Sequence, residues 1–419
     1  MKIFADLHIH SRYARACSRE LTPQNLAIWC DKKGISVVGT GDFTHPKWLQ
    51  ELKDNLVESK PGLYSIRGHK AQFICTAEVS SIYKQGEKVR RVHNLIFAPS
   101  LGVVEKLNKA LIDWGANLSS DGRPIMGLHC PELVKLVKEV DDKCEIIPAH
   151  AWTPHFGIFG SLSGFDSLEE AFGDQSEHIF AIETGLSSDP LMNWQVEALD
   201  NLSLISNSDP HSLHRLGREC NAFEIEPNSL SYDEIISVIK SRDPKRFLYT
   251  IEFFPEEGRY HYDGHADCKF SCPPEKTKEL GGVCPVCKKH LLKGVMYRVD
   301  ELGTRTYGYR PKNPVPFFNV ISLEELIANL FGVGIASKKV QFEYERLVAQ
   351  RPEFDYLVEI PETELADAVG ESLTQVITRM RRGKVHIEAG YDGLYGKIEI
   401  LDPEEREALL VKPKQISLF

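Results

Sequence analysis

Apolar, β-rich runs that each end on a histidine or a carboxylate constrain this chain more than any other feature. KIFADLHIH carries His8 and His10, ISVVGTGD carries Asp42, and QFICTAEVS carries Glu78. EIIPAHAW carries His150, and LSLISNSD runs into Asp209 and His211. Further runs are VHNLIFAP, with His93 inside it, IFAIETG, AFEIE and RFLYTIEFF. Between several of them lie amphipathic segments: Val103–Trp114, Glu132–Val140, Leu191–Leu199 and Tyr232–Lys240. Thr22 and Pro23 are set to start another helix that Gly34 stops. Strand–helix alternation predicts a parallel sheet, open or closed into a barrel. A doubly wound sheet concentrates its functional groups at one switch point, whereas a barrel offers the C-terminal ends of many strands. The spread of polar residues over many strand ends therefore predicts an α/β fold with a distorted TIM-like barrel over residues 1–255.

Alternate residues of a strand point the same way, so His8 and His10 present two imidazoles on one face. Asp209-Pro210-His211 repeats that geometry with a carboxylate and an imidazole. Each feature has a plainer reading alone, and His93 in an apolar run suits a hydrogen-bonded core histidine. Together, so many buried charges demand a neutraliser, and divalent cations supply it. His8, His10, Asp42, Glu78, His93, His150, Asp209 and His211 are therefore the candidate ligands and catalytic residues, with His129 and His155 in reserve. A donor set of nitrogen and oxygen without thiolate suits Zn, Mn, Fe or Mg. Eight ligands exceed one ion's needs, so two or three divalent ions are expected. Clustered ions generate hydroxide at neutral pH and clamp the entering and leaving oxygens of a phosphoryl group.

From about Gly258 the pattern changes. Cys268-x3-Cys272 and Cys284-x2-Cys287 offer four thiolates on two knuckles, the spacing of a structural zinc module over residues 256–312. A redox role for Cys284 and Cys287 is the alternative. The remaining cysteines are scattered and read as buried thiols. Residues 313–402 resume with helices at Leu323–Leu330, Lys338–Ala349 and Glu371–Arg381. Gly332 and Gly334 lie between the first two, followed by Lys338 and Lys339, as in a hairpin whose backbone N–H groups face a phosphate. A plain turn fits equally well. With Lys288, Lys289, Lys293, Arg379, Arg381, Arg382 and Lys384, these residues form a candidate DNA-binding track. A net charge of −10 argues against non-specific nucleic-acid binding by the chain as a whole. No run approaches the ~18 apolar residues of a membrane span, and the first residues lack a secretory pattern. A cytoplasmic protein without a membrane partner is expected.

DLHIH, GTGDFTH, Glu78, His93, His150 and NSDPH resemble, in order, the motifs of the PHP (polymerase and histidinol phosphatase) superfamily. That resemblance implies a distorted seven-stranded (β/α)7 barrel with a two- or three-metal phosphoesterase site. Two positions depart from it: Arg15 stands where an acid or histidine is usual, and Phe43 replaces the histidine of the TDH triplet unless His45 substitutes. Over nearly the full chain, these motifs with GRYHYDGH, CPVC, LFGVG and KVHIEAGYDGLYGKIEI resemble the archaeal endonuclease Q family and its bacterial relatives. The likeness implies a DNA repair enzyme that cuts the phosphodiester 5′ to uracil, hypoxanthine, xanthine or an abasic site. The expected mechanism is in-line attack by a metal-activated hydroxide, on single- or double-stranded damaged DNA. The damaged base would be flipped out, with Trp152 and Phe156 as stacking candidates. In the tail, 403–419, Gln415, Leu418 and Phe419 match the front of a PCNA-interacting peptide, so the sliding clamp is an expected partner. Two other functions compete: a small-molecule phosphomonoesterase, which leaves the C-terminal features idle, and a non-catalytic DNA- or clamp-binding factor.

Overall fold

The structure is a computed structural model and describes residues 1–410. Its first part is built on seven strands: β1 (Lys2–Asp6), β2 (Val37–Gly39), β3 (Gln72–Gln85), β4 (Lys88–Ala98), β5 (Glu145–Pro148), β6 (Ala181–Glu183) and β7 (Ser203–Ile205). β1 pairs with β2, β2 with β3, and β6 with β7, all in parallel. β4 lies antiparallel to both β3 and β5. Beyond the strand ends, the Ala151 N–H donates to Glu183 O at 2.9 Å, linking the β5 side to β6. The Asp209 N–H donates to His8 O at 3.0 Å and the Leu7 N–H to Asn207 Oδ1 at 2.8 Å, linking the β7 side to β1. β1 also carries an antiparallel partner, β8 (Cys220–Glu224), which pairs with β9 (Phe247–Glu252).

The fold is a mixed α/β one, and its sheet is less uniformly parallel than strand–helix alternation predicts. The reason is local. Only Gly86 and Glu87 separate β3 from β4, and Gly86 adopts φ 60°. Two residues suffice for a hairpin and never for the crossover that a parallel pair requires.

All seven strands feed one apolar cluster, through Ile3, Ala5, Leu7, Val37, Ile74, Leu95, Phe97, Ile147, Ala181 and Ile205. The Tyr232–Ser241 helix packs onto the same cluster through Ile235, Val238 and Ile239. The Pro23–Lys33 helix is started by Thr22, whose side chain accepts the Asn25 N–H, and is stopped by Gly34 at φ 88°.

Two short hairpins follow, Asp263–His265 with Phe270–Cys272 and His386–Glu388 with Lys397–Glu399. The helices Leu323–Phe331, Lys338–Val348, Glu362–Val369 and Glu371–Arg381 pack around Leu326, Val340, Tyr344, Leu347, Leu373 and Val376. Ser322 and Glu325 cap the first of these reciprocally. This helical core is continuous with the apolar layer on the other face of β1, which Phe4 enters. The rings of Phe4 and Phe354 lie 4.7 Å apart, and Lys33 Nζ meets Glu353 Oε2 at 2.7 Å with both side chains 2% exposed. The Tyr344 hydroxyl also donates to Glu353. Replacing Glu353 by Ala strands the Lys33 ammonium in the interior, and we expect a loss of about 3–5 kcal/mol in urea unfolding; an unchanged midpoint would contradict it. No helix among the described residues is long and apolar enough to cross a membrane.

Candidate metal centre

The candidate ligands come from strand ends and from the turns just beyond them. His8 and His10 follow β1, their rings 5.3 Å apart. Glu78 sits within β3, and the register sets Ser80 opposite His93 and Glu78 opposite Leu95, so both side chains rise on one face. His150 follows β5, and Asp209 and His211 follow β7. Asp42, His150 and Asp209 all have positive φ, at 43°, 30° and 41°. Such backbone costs about 1–3 kcal/mol per residue and persists where surrounding structure enforces it, commonly at functional sites.

Glu78 is the hub. Its Oε1 lies 2.6 Å from His93 Nδ1, 3.0 Å from His150 Nε2 and 3.7 Å from His8 Nε2, and its Oε2 is 3.6 Å from His10 Nε2. Asp209 Oδ1 approaches His10 Nε2 at 2.8 Å and His211 Nε2 at 3.8 Å. Three overlapping groups bring one donor atom per residue within 4.8 Å of one another: His8, His10 and Glu78; His10, Asp209 and His211; Glu78, His93 and His150. The buried atoms His8 Nε2, Glu78 Oε2 and His150 Nδ1 make no hydrogen bond, and His10 Nε2 and Asp209 Oδ1 meet only each other. Leaving so many buried polar atoms unpaired is costly. The donors, all imidazole and carboxylate, fit divalent cations.

Electrostatics point the same way. Burial disfavours the imidazolium of His8, yet Glu183, Asp209 and Glu78 outweigh it and raise the pKa to about 10. For His10, Asp42 and Asp209 overcome burial in the same way, giving about 9. Glu78, though buried, is held well below the usual carboxylate range by His93, His150 and His8. The carboxylates thus favour protons on His8, His10 and His150, whereas burial pushes His93 and His211 down; a cation would compete for the same lone pairs.

Asp42, expected as a ligand, does other work. Its Oδ1 accepts from His10 Nδ1 at 3.0 Å and its Oδ2 from the Ser11 N–H at 2.6 Å, and it belongs to none of the three donor groups. Glu183, which sequence reasoning missed, does the same for His8. It meets His8 Nδ1 at 3.0 Å and accepts from the His150 N–H at 2.7 Å and from Asn207 Nδ2 at 2.8 Å. Each carboxylate fixes the tautomer that turns Nε2 toward the cluster. The only signal for Glu183 was its place at the end of the IFAIETG run. We expect Glu183→Gln to weaken metal retention by about 10–100-fold, read by metal analysis after dialysis against a chelator; retention equal to the unsubstituted chain would sink the idea.

Several other candidates lie elsewhere. Phe43 is fully buried, and His45 stacks on Tyr13 at 4.5 Å. Arg15 is exposed. His129 stacks on Tyr83 where the Cys130–Val140 helix begins, and His155 is exposed beside Tyr260. Trp152 is completely buried, donates to Asn193 Oδ1 and packs on Phe159, so it has no face for a base. Phe156 is half-buried with its ring 4.4 Å from His93.

In the cysteine module, the ligand atoms of His265, Cys268, Cys284 and Cys287 lie within 4.8 Å of one another. This differs from the four-thiolate expectation at one corner. The hairpin register puts Cys272 opposite Asp263 and His265 opposite Phe270, so His265 lies nearer Cys268 along the hairpin. Cys272 Sγ instead meets Thr277 Oγ1 at 3.3 Å, although it packs in the same small cluster as Cys284 and Leu291.

Of the expected DNA contacts, Lys288, Lys289, Lys338 and Lys339 are exposed. Gly332 ends its helix at φ 64°, and Gly334 borders open space. Arg379 pairs with Glu405 and Arg382 with Glu362. Arg381 is a correction: it donates to the carbonyls of Tyr356, Leu357 and Ile360 and braces the chain rather than facing a phosphate. Gln415, Leu418 and Phe419 lie outside the described residues.

Residues 322–384 match the family model of the MJ0043 C-terminal domain. The chain is 30% identical over 252 residues to the uncharacterized protein MJ0043 of Methanocaldococcus jannaschii; the match covers 59% of this chain and 31% of that protein. It is 28% identical over 413 residues to the uncharacterized protein YqxK of Bacillus subtilis, covering 95% and 99%. Among solved structures, it matches the lesion-specific endonuclease PfuEndoQ of Pyrococcus furiosus at TM-score 0.85 and 32% identity, covering 99% and 98%. It also matches endonuclease Q in complex with a 27-mer duplex bearing an abasic lesion at the active site, at TM-score 0.84 and 32% identity, covering 99% and 100%.

Proposed function

This chain belongs to the endonuclease Q family, and from that premise we propose that it is a metal-dependent endonuclease that cuts DNA at lesions. The observation that carries the reading is the group of buried imidazoles and carboxylates converging at the strand ends, several of their polar atoms without a hydrogen bond. Its substrates, in this reading, are the phosphodiesters 5′ to uracil, hypoxanthine, xanthine or an abasic site. Residues 1–255 are read as a distorted seven-stranded barrel, 256–312 as a zinc module and 313–402 as a helical DNA-binding part. The links between β5 and β6 and between β7 and β1 support the barrel.

Two or three divalent ions would be held by His8, His10, Glu78, His93, His150, Asp209 and His211, and would acidify water and neutralise phosphoryl charge. The chain's own residues do the rest. Asp42 and Glu183 aim the imidazoles of His10 and His8, and Phe156 offers an apolar face beside His93. Lys288, Lys289, Lys338 and Lys339 supply exposed positive charge for the DNA backbone. No observation favours a small-molecule phosphatase over this reading.

The test is cleavage of end-labelled duplexes carrying uracil, hypoxanthine, an abasic site or no lesion, with Mg, Mn or Zn supplied. A nick confined to the damaged duplexes and on the 5′ side of the lesion is expected. Equal cleavage of the undamaged duplex, or none of any, would overturn the proposal.

A further inference from the structure

One charged group at the cluster belongs to neither the ligands nor their braces. Arg123 lies in the segment Ser120-Asp121-Gly122-Arg123, which runs beside Asp42 and Glu78. Its Nε stands 3.8 Å from Glu78 Oε2, too far for a hydrogen bond. Its guanidinium carries five N–H donors, yet among the described residues its side chain donates only from Nη2, to Arg15 O at 3.1 Å. The side chain is 21% exposed, so the unspent donors reach space that a ligand can enter. Arg218, the other guanidinium near Asp209, contrasts with it by donating to the Ser208 and Asp209 carbonyls.

The placement is built rather than incidental. The neighbouring strand Ile125–Met126 pairs with Ser80 and Ser81 of β3, and the Ser80 N–H donates to Pro124 O. Asp121 Oδ1 accepts the N–H groups of both Arg15 and Arg123. The Gly122 N–H donates to Tyr13 O, and Thr44 Oγ1 donates to Gly122 O. A Cβ at Gly122 would lie 2.4 Å from Asp42 Oδ2, so only glycine lets the backbone approach this closely. Three separate anchors therefore hold the arginine at the edge of a metal cluster with most of its donors free.

We infer that Arg123 is a catalytic residue that binds a non-bridging oxygen of the scissile phosphodiester and stabilises its charge as the bond breaks. The inference rests on the phosphodiesterase reading above. In hydrolysis the water oxygen bonds to phosphorus, the P–O bond to the leaving nucleotide breaks, and one water proton ends on the departing alcohol. Negative charge spreads over the non-bridging oxygens in between. A planar, permanently charged fork meets such oxygens in a geometry that lysine lacks.

The experiment compares the full chain with Arg123→Ala and Arg123→Lys on two substrates. One is an abasic duplex and the other is thymidine 5′-(p-nitrophenyl phosphate), a phosphodiester without a lesion. In Arg123→Ala, kcat is expected to fall about 10²-fold or more on both, the size of losing one preorganised transition-state donor. Metal content and duplex affinity should stay within about threefold, and added guanidinium ion should restore part of the rate. Arg123→Lys should fall between the two. Overturning results are turnover by Arg123→Ala within about threefold of the unsubstituted chain, or loss of rate in step with loss of metal in both variants. The latter would make Arg123 a counter-charge for Glu78. An enzyme inert toward the abasic duplex but active on the nitrophenyl ester would refute the lesion reading alone, and the ester would still judge Arg123.

Discussion

Glu78→Gln is expected to abolish lesion cleavage while leaving the chain folded. Glu78 belongs to two of the three donor groups and stands within 4 Å of four imidazoles. The amide keeps the volume but removes the charge that offsets those rings, and it presents N–H groups where a cation needs lone pairs. Losing the cation's stabilisation of the phosphoryl group is worth roughly 4 kcal/mol, or about 10³-fold in kcat. Metal analysis should show ions lost from the strand-end cluster with the ion of the cysteine module retained. Turnover near that of the unsubstituted chain would remove the cluster as the catalytic centre.

The second large effect concerns the cysteine module. Its own apolar cluster has only Cys272, Cys284 and Leu291 as buried members, too little to hold a segment together. A structural zinc supplies about 10–16 kcal/mol to such a site in isolated peptides near neutral pH. We therefore expect Cys284→Ser, or His265→Ala, to release the ion and open residues 259–294 to proteolysis and hydrogen exchange. Opening should spread to residues 386–399. The Tyr262 N–H donates to Gly390 O, and Asp392 accepts the Ala266 N–H, so the second hairpin is tied to the first. Cys272→Ser should keep the ion, because its thiol faces Thr277. Zinc content of the three variants decides the matter: retention in His265→Ala with loss in Cys272→Ser would restore the four-cysteine set.

What could be read in advance follows from how locally each feature is determined. Thr22-Pro23 and Gly34 announce a helix through their own backbone preferences, and the structure has it at Pro23–Lys33. His8 and His10 share a face because strands alternate, which spacing alone conveys. Direction is harder. Asp42 carried the right residue type in the right motif, but its backbone turn aims both oxygens at His10 and Ser11. Glu183 closes an ordinary apolar run, and its role depends on partners 175 and 24 residues away. Arg123 occupies a loop without periodicity, and only long-range packing brings it to the cluster. Trp152 illustrates the opposite error: an aromatic next to a ligand suggested stacking, yet its hydrophobic bulk had already found the interior.

The buried ammonium–carboxylate contact between Lys33 and Glu353, with Phe4 against Phe354, welds the helical part to the first strand of the hydrolytic part. Two bodies joined through a common dry interior have no pivot at that seam. If a duplex engages both the Gly332 turn and the strand-end cluster, any adjustment between them falls to the DNA rather than to a hinge at that seam. Flexible steps flanking a lesion would ease that adjustment, and the softness of the substrate would then contribute to its recognition.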